Sequence, residues 1–350
     1  MRKLSKILLI CGSILLGIFT FIFISFNGVV DREANIDPSI WGQYGDIIGG
    51  VIGTIFSLVG VLLLVETLRG SDFSQTENRI FELIKFHKEN TNEISTISEM
   101  GRLVFKNISE EISILYQEVC NCECLVPEEE TEGNPINEYD KLDVAYLIAF
   151  FGLDINGNQT LTDKVCAFTG CNTLMKKTIE CIPSIKDKFP NRDNKVNIHT
   201  GYQVILGHYF RHLFQTVNYI NNQKNLPYSK KYFFTKTLRA QLSTYEQIIF
   251  FYNSVSPLGA DWELSIYNKN YSENELNAYK IITKIPIIGK SLKKYLDYEN
   301  NNNKLITKYN FIKNIPSGMC CVDPRELYDN VEYEGENKSK DKSEMEKYYT

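Results

Sequence analysis

The 350-residue chain lacks every short signature by which enzymes usually declare themselves. It has no G-x-x-x-x-G-K-[ST] loop, G-x-G-x-x-G turn, H-E-x-x-H helix or G-x-S-x-G elbow. The phosphate-loop, dinucleotide, zinc-protease and serine-hydrolase assignments fall away with them. It also lacks a basic excess, since 38 Lys and Arg face 43 Asp and Glu for a formal net charge of −5. Phosphate-backbone binding draws on clustered positive charge, so no nucleic-acid partner is indicated. Period-two alternation is sparse and no internal repeat stands out, which argues against a β-rich or solenoid fold. Nine cysteines, at 11, 120, 122, 124, 166, 171, 181, 320 and 321, are odd in number and match no small secreted disulfide framework.

Charge is missing altogether from two N-terminal runs. Ile7 to Phe26 (ILLICGSILLGIFTFIFISF) has twenty uncharged residues, and as a helix at ~1.5 Å per residue it spans about 30 Å, the thickness of a hydrocarbon core. The run is too long for the apolar region of a cleaved signal, no A-x-A-like site follows it, and Ile10 stands where a lipoprotein cysteine at 11 would need a small residue. The second run lies between Asp46 and Glu66. Arg2, Lys3 and Lys6 precede the first run, and Arg69, Arg79 and Lys85 follow the second. The loop between them carries Arg32 against Asp31, Glu33 and Asp37. The positive-inside rule therefore predicts a multi-pass protein of the bacterial inner membrane with both termini cytoplasmic. Most of the cysteines then lie where thiols stay reduced. Trp41 and Tyr44 sit where an aromatic belt would anchor the outer end.

Within the second run Gly45, Gly49, Gly53 and Ser57 recur every four residues and share one helical face. Small residues let helices approach closely in lipid, so this face predicts a packing seam, against the first span or a second copy. Asp46 is costly in mid-bilayer but well solvated at the interface, where it can cap the helix.

The remaining chain reads as helical. NRIFELIKFHKENTNEIS, Ser98 to Val119, Asp143 to Leu153, Asn197 to Asn221 and Tyr232 to Ser254 each show apolar residues at helical spacing. CNCECLVPEEETEGNPINEYD reads as an exposed acidic loop, and VEYEGENKSKDKSEMEKYYT has too little apolar content to fold. The expected fold is mainly α. Residues 1–70 form a two-helix transmembrane hairpin (spans about 7–26 and 46–66), 71–330 an α-helical cytosolic domain, and 331–350 a disordered charged tail.

Few residues suggest chemistry. Cys120, Cys122 and Cys124 do not have the C-x₂₋₄-C spacing that wraps a zinc ion. His208 and His212 share a helix face but bring no third ligand, so neither a metal nor a cofactor is expected. Arg211 and His212 (GHYFRHLFQTVNYI) and Arg239, Gln241 and Glu246 (LRAQLSTYEQIIFFYN) stand among apolar residues. A buried arginine must find a partner, whether a carboxylate such as Glu246, a carbonyl, or an anionic ligand such as a nucleotide. Arg192 and His199 (RDNKVNIH) fit a loose R-x₄₋₆-H ribonuclease spacing, but in a segment that reads as a loop.

The order of WGQYGDIIGGVIGTIFSLVGVLLL, FELIKFHKEN, GRLVF, AYLIAFFGL, GHYFRHLFQTVNYI, RAQLSTYEQIIFFYN and KYNFIKNIP resembles that in a bacterial family of membrane-anchored phage abortive infection proteins, the AbiC-like group. The resemblance implies a defence role in which infection triggers arrest or death of the host cell. It carries no established catalytic mechanism. The candidate functional residues inside the matched pieces are Arg102, Tyr209, Arg211, His212, Arg239, Gln241, Glu246 and Asn253. The expected partners are the lipid bilayer, a second copy through the glycine seam, and a phage or host protein as trigger. The alternatives are a membrane-tethered RNase-like toxin and a non-enzymatic membrane scaffold or signalling anchor. Whether the chain is an enzyme stays open, and the missing motifs argue against it.

Overall fold

A computed structural model describes residues 2–26, 38–96, 99–121, 138–152, 185, 200–263 and 304–335. Cys122, Cys124, Cys166, Cys171, Cys181, Arg192, His199 and the tract Asn300 to Asn303 lie outside the described residues. The described residues are mostly helical, as expected, with a single isolated bridge between Ser95 and Met100 and no strand. The chain divides into two compact units, Met1–Phe81 and Glu82–Thr350.

In the first unit, α1 (Arg2–Phe26) pairs with α2 (Pro38–Ile47), a π-helical turn (Ile48–Ile52) and the start of α3 (Gly53–Glu93). Pro38 opens α2, where its missing N–H would have had no intrahelical partner anyway. The turn widens the helix by one residue, so that Gly53 N–H donates to Ile48 O. The hairpin is fastened at Tyr44, whose hydroxyl bonds Thr20 Oγ1 (2.9 Å) and whose ring stacks on Phe23 (4.1 Å between centroids). Ile52 and Val59 are buried. The close approach of α1 occurs at Gly12, where an added Cβ would lie 3.2 Å from Ile55 Cγ2. The Gly45, Gly49, Gly53 and Ser57 face is exposed, and a Cβ built on Gly45 or Gly49 meets nothing within 4 Å. α1 therefore docks beside the small-residue face rather than on it. Ile7, Ile10, Ile14, Ile18 and Phe21 on α1 are each more than half exposed. By length and composition alone, two helical stretches, Leu4–Ser25 and Gly42–Glu93, qualify to cross a membrane. The second runs on through the helical pattern from Ser74, because no glycine or proline interrupts the chain after Gly70.

The second unit is built around α8 (Thr244–Val255), in which every residue from Glu246 to Val255 is buried. A helix apolar on nearly all sides has to be enclosed. It packs on α4 (Arg102–Asn121), α5 (Glu138–Phe151) and the 3₁₀ turn Pro257–Trp262. From α4, the stripe Val104, Phe105, Ile108, Ile112, Leu115 and Val119 is buried. α6 (Gln203–Asn221) contributes Leu206, Tyr209, Phe210, Leu213, Val217 and Ile220. It begins six residues later than its apolar pattern predicts. The reason is Gly201, at φ +75°, where an added Cβ would overlap the backbone of Phe151 and Gly152.

The expected single helix from Tyr232 to Ser254 is two helices, α7 (Tyr228–Arg239) and α8. Ser243 and Glu246 form a capping box that starts α8 afresh, a signature present in the sequence as Ser-Thr-Tyr-Glu. Beyond residue 303, α9 (Leu305–Tyr309) and α10 (Pro324–Leu327) are short, yet Leu305, Ile306, Phe311, Ile312 and Ile315 are buried. Within residues 331–335, expected as the start of the charged tail, Val331 and Tyr333 are buried. They alternate inward, and Glu332 pairs with Lys313 and donates its N–H to Asn310.

Glu263 joins α9 to the 3₁₀ turn. Its fully buried carboxyl accepts from Ile306 N (2.8 Å) and Thr307 N (3.2 Å). Burial pushes it up to about 8, against the pull of those two N–H groups. The unfolded chain releases this proton near ~4.3, so the folded state holds it over a range in which the unfolded state has lost it. Stability from this group is complete below about pH 4 and falls by up to ~1.4 kcal/mol per unit as pH rises toward 8. Glu263→Gln keeps an acceptor and removes the ionisation. The melting temperature of the parent should therefore fall relative to the variant between pH 5 and 8. Gly259→Ala should destabilise the unit by more than about 2 kcal/mol, because the new Cβ would overlap the carbonyl of Asn253.

Candidate functional site

Several of the sequence-predicted residues converge on the N-terminus of α8. The buried Glu246 accepts from Ser243 N (2.6 Å) through Oε2 and from the Tyr209 hydroxyl (2.9 Å) through Oε1. Arg102, on the first turn of α4, lies with Nε 3.7 Å from Glu246 Oε2 and donates from Nη2 to Gln241 O (2.6 Å). Gln241 thus takes part through its backbone carbonyl. Four candidates, Arg102, Tyr209, Gln241 and Glu246, form one cluster drawn from α4, α6, the α7–α8 link and the first turn of α8.

His212 joins its edge through a residue that sequence reasoning passed over. His87, 1% exposed, stacks on His212 (5.8 Å, 12°) and lies against Tyr209 (5.0 Å). It was legible only as a polar position in the apolar stripe Phe81 to His87. Burial first, then His212 and Arg102, pushes His87 down to about 3, so it stays neutral. Burial and His208 lower His212 as well. The Tyr209 phenol is held well above its ordinary value by burial and then by Glu246. It therefore remains a hydrogen-bond donor. Burial thus settles His87 as neutral and Tyr209 as protonated, and the Glu246 carboxyl accepts from the α7–α8 link and from α6, while both ring nitrogens of His87 and Nδ1 of His212 are buried with no hydrogen-bond partner among the described residues. Among the described residues no group of three His, Cys, Asp or Glu could hold a metal ion.

The other candidates lie elsewhere. Arg239 is buried and donates from Nη1 to Tyr309 O (3.0 Å) and Asn310 O (2.7 Å). Asn253, also buried, donates to the Tyr146 hydroxyl (2.9 Å). Arg211 is exposed on α6 and, among the described residues, has no ion-pair partner. It lines a cleft of about 980 Å³ together with His208, Asn253, Asp261 and Trp262. Sequence reasoning missed Asp261 and Trp262, because only the 3₁₀ turn after α8 brings them opposite α6.

Arg239 and Arg211 should therefore respond differently to alanine. Arg239→Ala strands two buried carbonyls at ~1–3 kcal/mol each and should cost about 3 kcal/mol or more in urea unfolding of the solubilised chain. Arg211→Ala should stay within ~0.5 kcal/mol. Tyr209→Phe, which takes one donor from Glu246, should cost about 1–2 kcal/mol.

Residues 201–284 match the family described as putative phage abortive infection protein. The match takes in α6, α7, α8 and the 3₁₀ turn, and so GHYFRHLFQTVNYI and RAQLSTYEQIIFFYN, but not the apolar spans or KYNFIKNIP. No curated protein and no solved structure gives a significant match. Over residues 201–284, which hold most of the candidate residues, this chain is similar to the phage abortive infection family, and that similarity supports a phage-defence role.

Proposed function

We propose that the protein is a membrane-anchored bacterial phage-defence protein, held by α1 and the apolar part of α3, whose helical domain senses infection or executes the response. The observation that carries this reading is the family match across α6 to the 3₁₀ turn. Anchoring is supported by the outward apolar side chains of α1 and by Val51, Leu58, Val61 and Leu64, all more than half exposed. Apolar surface on that scale calls for lipid or protein cover. The basic residues at the start of α1 and after the second run support a topology with both termini in the cytoplasm. The unoccupied Gly45, Gly49, Gly53 and Ser57 face suits a second copy of the same helix, since close approach there requires no rearrangement.

Phage plating tests the reading directly. Expression should lower plaque counts by at least about tenfold relative to an empty vector for some phage in a diverse panel. No protection against any phage in the panel would sink the defence role. Gly49→Leu with Gly53→Leu should lower the cross-linked dimer fraction in membranes and weaken protection. An unchanged dimer fraction would remove the glycine face as a contact.

A further inference from the structure

The cleft beside α6 is not explained by the Glu246 cluster or by the membrane-spanning helices. Val204, His208, Arg211 and Gln215 line it from α6 at spacings of four, three and four, which places them along one helical face. Val204 is 85% exposed, an unusual state for a valine on an amphipathic helix. Gly207, mid-helix, leaves the floor open. A Cβ built there meets only Phe150 Cζ, at an ordinary 3.8 Å. Trp262, 2% exposed, is held edge-on by Phe250 (4.6 Å) and backs the half-buried Phe214 edge-on (5.3 Å). Asp261 is the one acidic residue among the lining residues described.

Three properties select the ligand. The volume, about 980 Å³, lies at the upper end of the range for small-molecule sites. Arg211 offers a cationic guanidinium and His208 an imidazole from the same helix face, and Arg211 is the one candidate arginine whose guanidinium the fold leaves unpaired among the described residues, Arg102 and Arg239 being committed. The aromatic side, with Phe214 partly accessible, provides a face on which a planar ring can stack. Asp261, also among the lining residues, is a carboxyl that suits an amine or hydroxyl donor rather than an anion. A simple anion would use the helix face and leave the rest idle, and an apolar ligand would leave Arg211 unused.

We infer that this cleft binds a nucleoside phosphate, with the phosphate on Arg211 and His208, the base against Phe214, which the buried Trp262 backs, and Asp261 accepting from a base amine or ribose hydroxyl. Binding as such rests on the cleft alone. If the defence reading holds, this ligand is the signal that the helical domain senses.

The test uses the full chain purified in detergent micelles. AMP, GMP, CMP and UMP are each titrated by calorimetry and thermal shift, with adenosine and inorganic phosphate as separate arms. At least one nucleotide should bind saturably and raise the melting temperature, while adenosine and phosphate bind at least about tenfold more weakly. Arg211→Gln should weaken that binding by about tenfold or more without moving the ligand-free melting temperature. Gly207→Leu should abolish it by filling the floor. Absence of saturable binding by all four nucleotides overturns the inference. So does phosphate binding as tightly as any nucleotide, or binding that Arg211→Gln leaves intact. Loss of phage protection without loss of binding would count against the defence reading and leave the site standing.

Discussion

A carboxylate buried at the start of a buried helix constrains everything around it. α8 runs through the interior of the second unit with all of Glu246 to Val255 enclosed, so its first-turn N–H groups cannot turn to water and need internal acceptors. The Ser243–Glu246 capping box supplies them. Its cost is a carboxyl held away from solvent, which needs donors around it. The Tyr209 hydroxyl arrives from α6 and the Arg102 guanidinium from α4. The box that starts one helix thereby sets the register of two others. Phe105, one turn along α4, packs against the same Tyr209 ring (4.7 Å), so the apolar and polar demands at this point agree.

The arginines of the second unit illustrate how one residue type divides by surroundings. Arg102 reaches a carboxylate and a carbonyl from the half-exposed end of α4. Arg239 is buried at the end of α7 and holds the 309–310 backbone, where Asn310 takes a left-handed conformation and presents its carbonyl. Both direct donors at groups of the fold itself. Arg211 stands one position from His212 but on another face of α6, turned to the cleft rather than to the His87 ring. That 100° rotation per residue separates a structural polar contact from a surface that can receive a ligand.

The helical elements were largely legible because their apolar spacing is strong. α4, α5 and α6 appear near the positions that their patterns predict. The α7–α8 break was legible too, as Ser-Thr-Tyr-Glu, but a continuous apolar pattern on both sides concealed it. The late start of α6 was not legible, because it depends on how closely Gly201 approaches the end of α5. In the site, the proximity of Arg102, Tyr209 and Glu246 could be listed from the sequence but not established. Their separations of 37 to 144 positions close only through packing. His87 and Trp262 were invisible as partners, since each pairs with a residue far along the chain.

By itself the sequence determined the two uncharged runs, the mainly helical class and the small-residue face on the second run. These follow from local periodicity and from single-residue chemistry, which operate within a few positions. Only the tertiary structure decided that α1 docks at Gly12 and Ile55 rather than on the glycine face, that Glu246 is shared by three elements, and that Arg239 is committed while Arg211 is not. Those outcomes depend on which side chains reach a buried donor or acceptor first. That is a property of the packed volume, not of any stretch of chain.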